Sequence, residues 1–389
     1  MSPRRRTLVA LTVLLLTVLT GCRSVPAGGD RGGAAPHHPA VAAEPVFALR
    51  AGERVLPLQM AHPYAPAPPH GGTDDYRCFL LDPHLDKPAF ITGMGFVPGT
   101  REVHHTILFR VPADRVAAAE ALDARTPGDG WTCFGGTQIP AGGSADRSGN
   151  DGWLDAWAPG GKPSTYADGF GVPLDVGSRV VLQVHYNLLA GTSADRSGVR
   201  LRLAPARPGL TPLFTALFPA PVELPCTPTE RGPLCARAAA VRDVAARFGA
   251  ENGRAADELQ RLCGGSLRGP RAGNTQHCDL RIPAPMTVRA GAGHMHLLGR
   301  SITVVANPGT ARERVLVDVP VYDFDNQGAR TLAQPVRLRT GDTVRVTCTH
   351  DAKLRSMLPE LASLPPRYVV WGEGTSDEMC LGVLTVTSP

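Results

Sequence analysis

The sequence lacks the short motifs of the commoner metal sites. None of its nine cysteines belongs to a C-x-x-C pair, so a structural zinc site is a poor explanation for them. None of its twelve histidines belongs to an H-E-x-x-H arrangement, which argues against a zinc hydrolase. With 43% hydrophobic and 19% charged residues, the composition is that of a folded, soluble protein.

A long membrane-spanning run is also missing at the N-terminus. The apolar run Leu8–Leu19 is shorter than the roughly 20 residues that a bilayer requires. Three arginines, Arg4 to Arg6, precede it, and small residues lead from it to Cys22. This pattern predicts a lipoprotein signal peptide over residues 1–21, with Cys22 lipidated. We therefore expect an exported protein, held at the bacterial cell envelope by its lipid anchor alone.

Charge gives no indication of a nucleic-acid partner. Residues 1–21 carry three arginines and no acid, so the formal charge of +5 falls to 5 − 3 = +2 without them. Residues 22–45 are rich in Gly, Ala and Pro, which predicts a flexible tether. The remaining length suits two domains, each large enough to bury its own core.

The rest of the chain predicts a mostly β protein of sandwich type. Short alternating strands, broken by Gly and Pro, run through residues 46–205 and return after residue 280. A Pro- and Gly-rich stretch over 205–212 predicts a boundary between domains 46–205 and 206–389. Residues 226–278 have helical composition between cysteines and predict a helical, disulfide-rich insertion in the second domain.

Eight cysteines remain beside Cys22. An even number in an exported protein favours disulfides, because that compartment is oxidising. Local pairs Cys226–Cys235 and Cys263–Cys278 are plausible, although the sequence alone does not choose among connectivities.

Histidines mark the candidate sites. His294 and His296 flank Met295 just before a predicted strand, and side chains at i and i+2 of a strand share one face, so both can bind one ion. His104 and His105 are adjacent and should point to opposite faces. They can share an ion only if the strand is bulged or if different ring nitrogens bind. His185 lies in an apolar strand, where a structural role is the alternative.

Four motifs, in order, resemble the copper type II, ascorbate-dependent monooxygenases. The similarity runs from about Tyr76 to Leu384, and the insertion matches poorly. The motifs are His104-His105, Gln183-Val184-His185-Tyr186, His294-Met295-His296 and Asp377-Glu378-Met379-Cys380.

The resemblance implies two tandem jelly-roll-like β-sandwiches, each with one copper, facing each other across a water-filled cleft. It implies that His104, His105 and His185 hold an electron-relaying copper. The copper that binds oxygen would be held by His294, His296 and Met379, which are the catalytic residues. It further implies two disulfides, Cys78–Cys133 and Cys348–Cys380, the second of which would fix Met379 through its neighbour.

Ligand chemistry supports this assignment independently. Imidazole suits both oxidation states of copper, whereas a thioether is a soft ligand that favours Cu(I). A site with only three protein ligands leaves a position open. The metal supplies the difficult chemistry, and the protein fixes ligands and substrate.

The resulting functional prediction is a monomeric enzyme that hydroxylates an aliphatic C–H bond of a small molecule. It would use O2, two copper ions per chain and electrons from ascorbate or a similar reductant. The alternative is a copper-binding or copper-sequestering surface lipoprotein without turnover.

The substrate pocket departs from that of the peptide-hydroxylating relatives. Where those enzymes anchor a carboxylate with arginine, asparagine and tyrosine, this sequence has Ala292, Leu381 and Val383. None of the three side chains pairs with an anion, which predicts a less polar substrate. The alternative is that Arg289 or Arg300 restores a cation to the pocket.

Overall fold

The protein is described here from a computed structural model. The structure describes residues 45–68, 72–140, 152–158, 161–266, 269–324 and 326–389. The predicted signal peptide, Cys22 and nearly all of the tether lie outside these residues. Among the residues described, no helix is long and apolar enough to cross a membrane.

The first half of the described chain, residues 45–212, is almost entirely β. In chain order the elements are β1 Arg54–Gln59, β2 Asp74–Leu81, β3 Ala89–Val97, β4 Val103–Val111, α1 Val116–Asp123, β5 Trp131–Thr132, β6 Trp153–Trp157, β7 Ser164–Thr165, β8 Phe170–Leu174, β9 Arg179–Asn187, β10 Gly198–Pro205 and β11 Thr211–Pro212.

These strands form two sheets. One has the order β5-β2-β9-β4-β6, and the other has the order β1-β10-β3-β8-β11 with β7 beside β3. One buried apolar cluster contains residues of both, such as Leu182 of β9 and Leu201 of β10, so the two sheets share a core. Strand β9 is buried along nearly its whole length, because Leu182 packs in this cluster and Val181 packs in a second buried cluster that contains Trp131. β11 still pairs with β8, so the sheets of the first half extend to Pro212.

The second half, residues 213–389, combines four-stranded sheets with the helical insertion. Its elements are β12 Phe214–Pro219, β13 Glu223–Leu224, α2 Arg237–Phe248, α3 Ala250–Leu262, β14 Thr275–Arg281, β15 Met286–His294, β16 Gly299–Ala306, β17 Arg314–Val319, β18 Arg330–Leu338, β19 Thr343–His350, α4 Leu354–Met357, α5 Pro359–Ala362, β20 Val369–Val370 and β21 Leu381–Thr387.

Two sheets of the second half carry the candidate site. Their orders are β12-β21-β15-β18 and β14-β19-β16-β17, and a shared cluster that includes Val288, Val304 and Val346 joins them. Contact between them is close, because a Cβ on Gly293 of β15 would lie 2.3 Å from Cγ2 of Ile302. Only glycine fits there, so the strand that ends at His294 lies tightly against β16.

Four disulfides stabilise this arrangement. Two of them, Cys78–Cys133 and Cys348–Cys380, are the pairs that the resemblance implied. The insertion contains the two local pairs, Cys226–Cys235 and Cys263–Cys278. The prediction of a mostly β chain is confirmed. Residues 226–278, predicted as a helical insertion, contain α2 and α3.

Candidate metal centres

A cluster of three histidines lies on the β2-β9-β4 part of the first sheet. His104, His105 and His185 each offer a ring nitrogen, and these nitrogens lie within 4.8 Å of one another. His104 Nδ1 and His185 Nδ1 are 3.1 Å apart. Two imidazole nitrogens at that spacing match neighbouring ligands of one metal ion, given metal–nitrogen bonds of about 2.0 to 2.1 Å. We call these residues the three-His cluster.

The adjacent histidines converge because strand β4 is bulged there. Val103 pairs with Tyr186 and His105 pairs with His185, so His104 is the extra residue between them. A bulge rotates the side chain that follows it and lets neighbours share one side of the sheet. The bulge that two adjacent ligands require is therefore present.

Asp74 fixes the tautomer of His185. The Nε2–H of His185 donates to Asp74 Oδ1 at 2.8 Å, which leaves Nδ1 facing His104. Burial lowers the pKa of His185, although Asp74 opposes that shift. Burial also opposes ionisation of Asp74, but the hydrogen bond from His185 holds its pKa well below the usual range. A neutral imidazole beside an ionised carboxylate is the form that binds a metal.

His105 is likewise held neutral. Burial lowers its pKa well below the usual value, and the neighbouring imidazoles add to the shift. Tyr76 lies beside the cluster, with its ring stacked on His185 at 4.0 Å between centroids and its hydroxyl 3.5 Å from His105 Nε2. No motif in the sequence predicted that Tyr76 lies against the three-His cluster.

A second group of candidate ligands lies at the end of β15 and the start of β21. The rings of His294 and His296 are 5.3 Å apart between centroids. His294 is the last residue of β15, whereas His296 lies in the connection to β16. Only His294 therefore lies on a strand, because β15 ends at that residue. His296 begins the turn that the bond from Gly299 N–H to its carbonyl closes, so the two-residue strand period does not relate the two rings. We call His294, His296 and Met379 the His-Met group.

Hydrogen bonds select the ring nitrogen that each of these histidines presents. His294 Nδ1–H donates to Gln327 Oε1 at 2.7 Å, and His296 Nδ1–H donates to the carbonyl of Asp377 at 3.2 Å. Nε2 of both rings is thereby left to bind a metal. Burial, followed by the nearby His296, lowers the pKa of His294 to about 4. The imidazole of His294 therefore stays neutral at physiological pH.

Met379 is held in the same corner by its neighbours. Glu378 accepts hydrogen bonds from the backbone N–H groups of His296, at 3.0 Å, and Leu298, at 2.6 Å. The next residue, Cys380, is bonded to Cys348. Met379 is itself buried. The chain on both sides of the methionine is thus fixed against the turn that carries His296.

Glu378 and His350 were missed as supporting residues in the sequence. Both are fully buried, and His350 Nε2 lies 3.3 Å from Glu378 Oε2. Burial opposes the ionisation of Glu378, but its hydrogen bonds and the charge of His350 lower its pKa overall. The only signal was the unusual Asp377-Glu378 pair before the methionine.

The two candidate sites lie next to each other. The rings of His105 and His294 are 6.3 Å apart between centroids, and Phe324 of the second half stacks on His104 at 5.0 Å. The resemblance implied a water-filled cleft between two separate sites. Such a cleft does not fit between these two rings.

The predicted pocket residues lie beside His294. On paired strands β15 and β21, His294 is opposite Leu381 and Ala292 is opposite Val383, so the four side chains share one face. Arg289 precedes His294 on the same strand, and the distance between them along the strand is about 17 Å at about 3.4 Å per residue. Its guanidinium lies 4.3 Å over the ring of Phe170.

Two cavities lie near this sheet. A cavity of about 80 Å³ reaches Ala292 and Gln327, and one of about 970 Å³ is lined by residues of β17 and β18, none of them a candidate ligand. Since the larger cavity contains no candidate ligand, the candidate site is placed at the histidines and not at that cavity.

Two neighbouring groups of imidazoles, with lowered pKa values at His105, His185 and His294, are typical of the class of proteins that bind soft or borderline metal ions. Comparison with protein families narrows that class. Residues 273–385 match the model of the copper type II ascorbate-dependent monooxygenase C-terminal domain. The resemblance inferred from the motifs is confirmed over these residues, which include the whole His-Met group.

Comparisons with curated sequences and with solved structures do not support any further assignment. No curated protein sequence matches the chain. A Paenibacillus xanthan lyase shares 9% identity over 82% of this chain and 23% of its own, with a TM-score of 0.19. An allantoicase shares 10% identity over 83% of this chain and 90% of its own, with a TM-score of 0.17. A fucolectin from striped bass serum shares 8% identity over 87% of this chain and 97% of its own, with a TM-score of 0.16.

Proposed function

We propose that this protein is a copper-dependent monooxygenase that hydroxylates an aliphatic C–H bond of a small molecule with O2. Electrons would come from ascorbate or a similar reductant. One observation carries the proposal: a three-His cluster lies beside a His-Met group that falls within the family match. Bound copper would supply one-electron redox chemistry and the activation of dioxygen.

The protein's own residues would prepare both sites. Asp74 presents His185 through Nδ1, whereas Gln327 and the carbonyl of Asp377 present His294 and His296 through Nε2. These outer contacts fix ring orientation before any metal binds. One copper would be held by each group, two per chain. The thioether of Met379 would favour the reduced ion at its site.

We also propose an apolar substrate, oriented by Ala292, Leu381 and Val383 next to His294. The position of Arg289 supports this choice, since its guanidinium is engaged with Phe170 and Thr387 far along the strand. Arg300 stays a candidate cation. We further propose that the domains predicted over 46–205 and 206–389 are jelly-roll-like, with the first extended to Pro212 because β11 pairs with β8. The protein would be a monomer anchored at the cell envelope through Cys22.

Oxygen uptake tests this function. Copper-loaded protein with ascorbate should consume O2 when supplied with an apolar candidate substrate and release a hydroxylated product in equal amount. His185→Ala and Met379→Ala should each abolish product. Two bound coppers without product from any substrate of a broad panel would instead favour the copper-binding alternative.

X-ray absorption separates the two sites. The Cu(I) protein should show a sulfur scatterer that disappears in Met379→Ala and survives in His185→Ala. A sulfur signal that persists in Met379→Ala would contradict the assignment of the His-Met group.

A further inference from the structure

The cavity of about 970 Å³ lies at one edge of the second half. Strand β17 is outermost in one sheet and strand β18 is outermost in the other, and residues of both strands line the cavity. Met286 and Thr287, at the start of β15, complete the lining between them. None of the candidate copper ligands is among the lining residues, so the proposed function leaves this cavity unexplained.

Bulges in both strands shape the walls of the cavity. In β18, residues 332–335 lie opposite Arg289 of β15 alone, so they leave the ladder as a long bulge. In β17, Leu316 is the extra residue of a second bulge, and Val315 before it is 56% exposed. Bulges re-aim side chains and are common next to functional sites. The cavity therefore has an apolar wall on each side, with Leu332 on one strand and Val315 on the other.

The polar side chains around the cavity are cationic. Four exposed arginines line it, namely Arg312, Arg314, Arg337 and Arg339. No Asp or Glu is among the described residues that line it. Arg312 is paired with Asp342 at 2.8 Å, whereas the other three arginines form no ion pair within the described part of the chain. Pro389 also lines the cavity, and a carboxylate there would offset one positive charge. Guanidinium groups bind carboxylate and phosphate oxygens through paired N–H donors, so this lining favours an anion.

The shape of the cavity favours one small molecule over a peptide strand. Small-ligand sites typically measure about 300 to 1,000 Å³, and the 970 Å³ here falls in that range. A peptide that extended the sheet at β18 would need a regular row of free N–H and C=O groups. The bulge interrupts that row, and Pro335 within it has no N–H to donate.

We propose that this cavity binds an anionic amphiphile, a small molecule with a carboxylate or phosphate head and a short apolar chain. Arg314, Arg337 and Arg339 would bind the head, and the chain would lie against Leu332 and Val315. Removal of the chain from water supplies affinity, and the arginines supply the preference for an anion.

Calorimetry with decyl phosphate, below its micelle-forming concentration, tests the site. One molecule should bind per chain, about tenfold tighter or more than decanol or inorganic phosphate, because each of these lacks one half of the interactions. Copper-loaded and metal-free protein should bind it equally, since no candidate ligand lines the cavity. Decanoate is the second probe, and the ratio of the two affinities tells whether a phosphate ester or a fatty acid is the better ligand.

Two variants test the head and chain contacts separately. Arg337→Gln/Arg339→Gln should weaken decyl phosphate binding about tenfold or more, because charge-assisted hydrogen bonds are lost. Val315→Asp places an anion on an apolar wall and should weaken binding by a similar factor. The matched control is Arg261→Gln, which removes an exposed positive charge from α3 outside the cavity and should change nothing. Denaturant unfolding checks that each variant is folded.

Hydrogen exchange on the unaltered protein locates the ligand without any variant. With saturating decyl phosphate, the peptide that contains residues 332–336 should exchange about threefold slower or more. A peptide from helix α3 should exchange at the same rate with and without the ligand.

Each outcome decides the proposal. Selective binding that weakens in Arg337→Gln/Arg339→Gln and protects the bulge supports it. Equal affinity for decanol, no response to either variant, or protection elsewhere overturns it. Binding confined to phosphatidylglycerol vesicles, with no affinity for monomeric decyl phosphate, also overturns it, because such binding uses a surface and not the cavity. All of these results can be obtained without copper, so they are independent of the proposed function.

Discussion

Removing the Cys348–Cys380 disulfide should damage both stability and one metal site. The bond closes a loop with a sequence separation of 32, and both cysteines are completely buried. In the chain-entropy model, a loop of that length contributes about 4 kcal/mol to the free energy of unfolding. The double variant Cys348→Ala/Cys380→Ala should lose about that much in denaturant unfolding.

The double variant should also bind copper more weakly, because Cys380 is adjacent to Met379. Without the bond, the soft ligand keeps only the contacts of Glu378 and the pairing of β21. We expect the Cu(I) affinity of the His-Met group to fall about 10- to 100-fold, as when outer contacts of a metal ligand are removed. Competition with a Cu(I) chelator measures it, and the three-His cluster should retain its affinity.

A second disulfide serves as the control that separates the loss of stability from the loss of copper affinity. Cys226–Cys235 closes a sequence separation of only 9, worth about 2.5 kcal/mol in the same model, and neither cysteine adjoins a candidate ligand. Its double alanine variant should lose stability with little change in copper affinity. Equal loss of affinity in both variants, or none in Cys348→Ala/Cys380→Ala, would refute the proposed anchoring of Met379.

Further predictions concern the buried polar groups. Asp74→Ala leaves four donors without an acceptor, namely His185 Nε2–H, the N–H and hydroxyl of Thr375, and the hydroxyl of Thr73. It should cost about 3 to 5 kcal/mol in denaturant unfolding and weaken copper binding by the three-His cluster in chelator competition, so full retention of both would contradict the role of Asp74. Glu378→Gln replaces one acceptor by a donor facing a backbone N–H and should cost about 1 to 3 kcal/mol by the same measurement, whereas wild-type stability would contradict it. Because the pKa of His294 is lowered to about 4, the unfolded chain binds more protons below pH 6.5, and the metal-free protein should lose on the order of 3 kcal/mol between about pH 6.5 and 4 from this residue. A flat stability profile over that range would refute it.

Local features of the fold were accessible from the sequence. Strands within residues 46–205 and helices within residues 226–278 were predicted, because alternation and helical composition are properties of short segments. The disulfides Cys78–Cys133 and Cys348–Cys380 came from family resemblance. The pairings Cys226–Cys235 and Cys263–Cys278 stayed open until the structure, since sequence separation alone does not choose among connectivities.

The candidate ligands were chosen from the sequence by residue type, which did not determine their geometry. His104 and His105 required a bulge, and the register of β4 against β9 provides one. His296 was expected on the strand of His294 and instead lies in the turn that follows. A two-residue period describes only residues that stay in the strand, and nothing local in Gly293-His294-Met295 marks the last one.

Contacts between distant segments were decided by the tertiary structure alone. Asp74 and Thr375 are 301 residues apart in the chain, and no periodicity of either segment reveals that they meet. The sequence by itself determined the strands, the soft and imidazole ligand types, and the even set of cysteines, because each is written in neighbouring residues or in composition. Packing of the two halves determined that the ligand groups lie side by side, because that distance depends on non-local burial and on hydrogen bonds that form only in the folded chain.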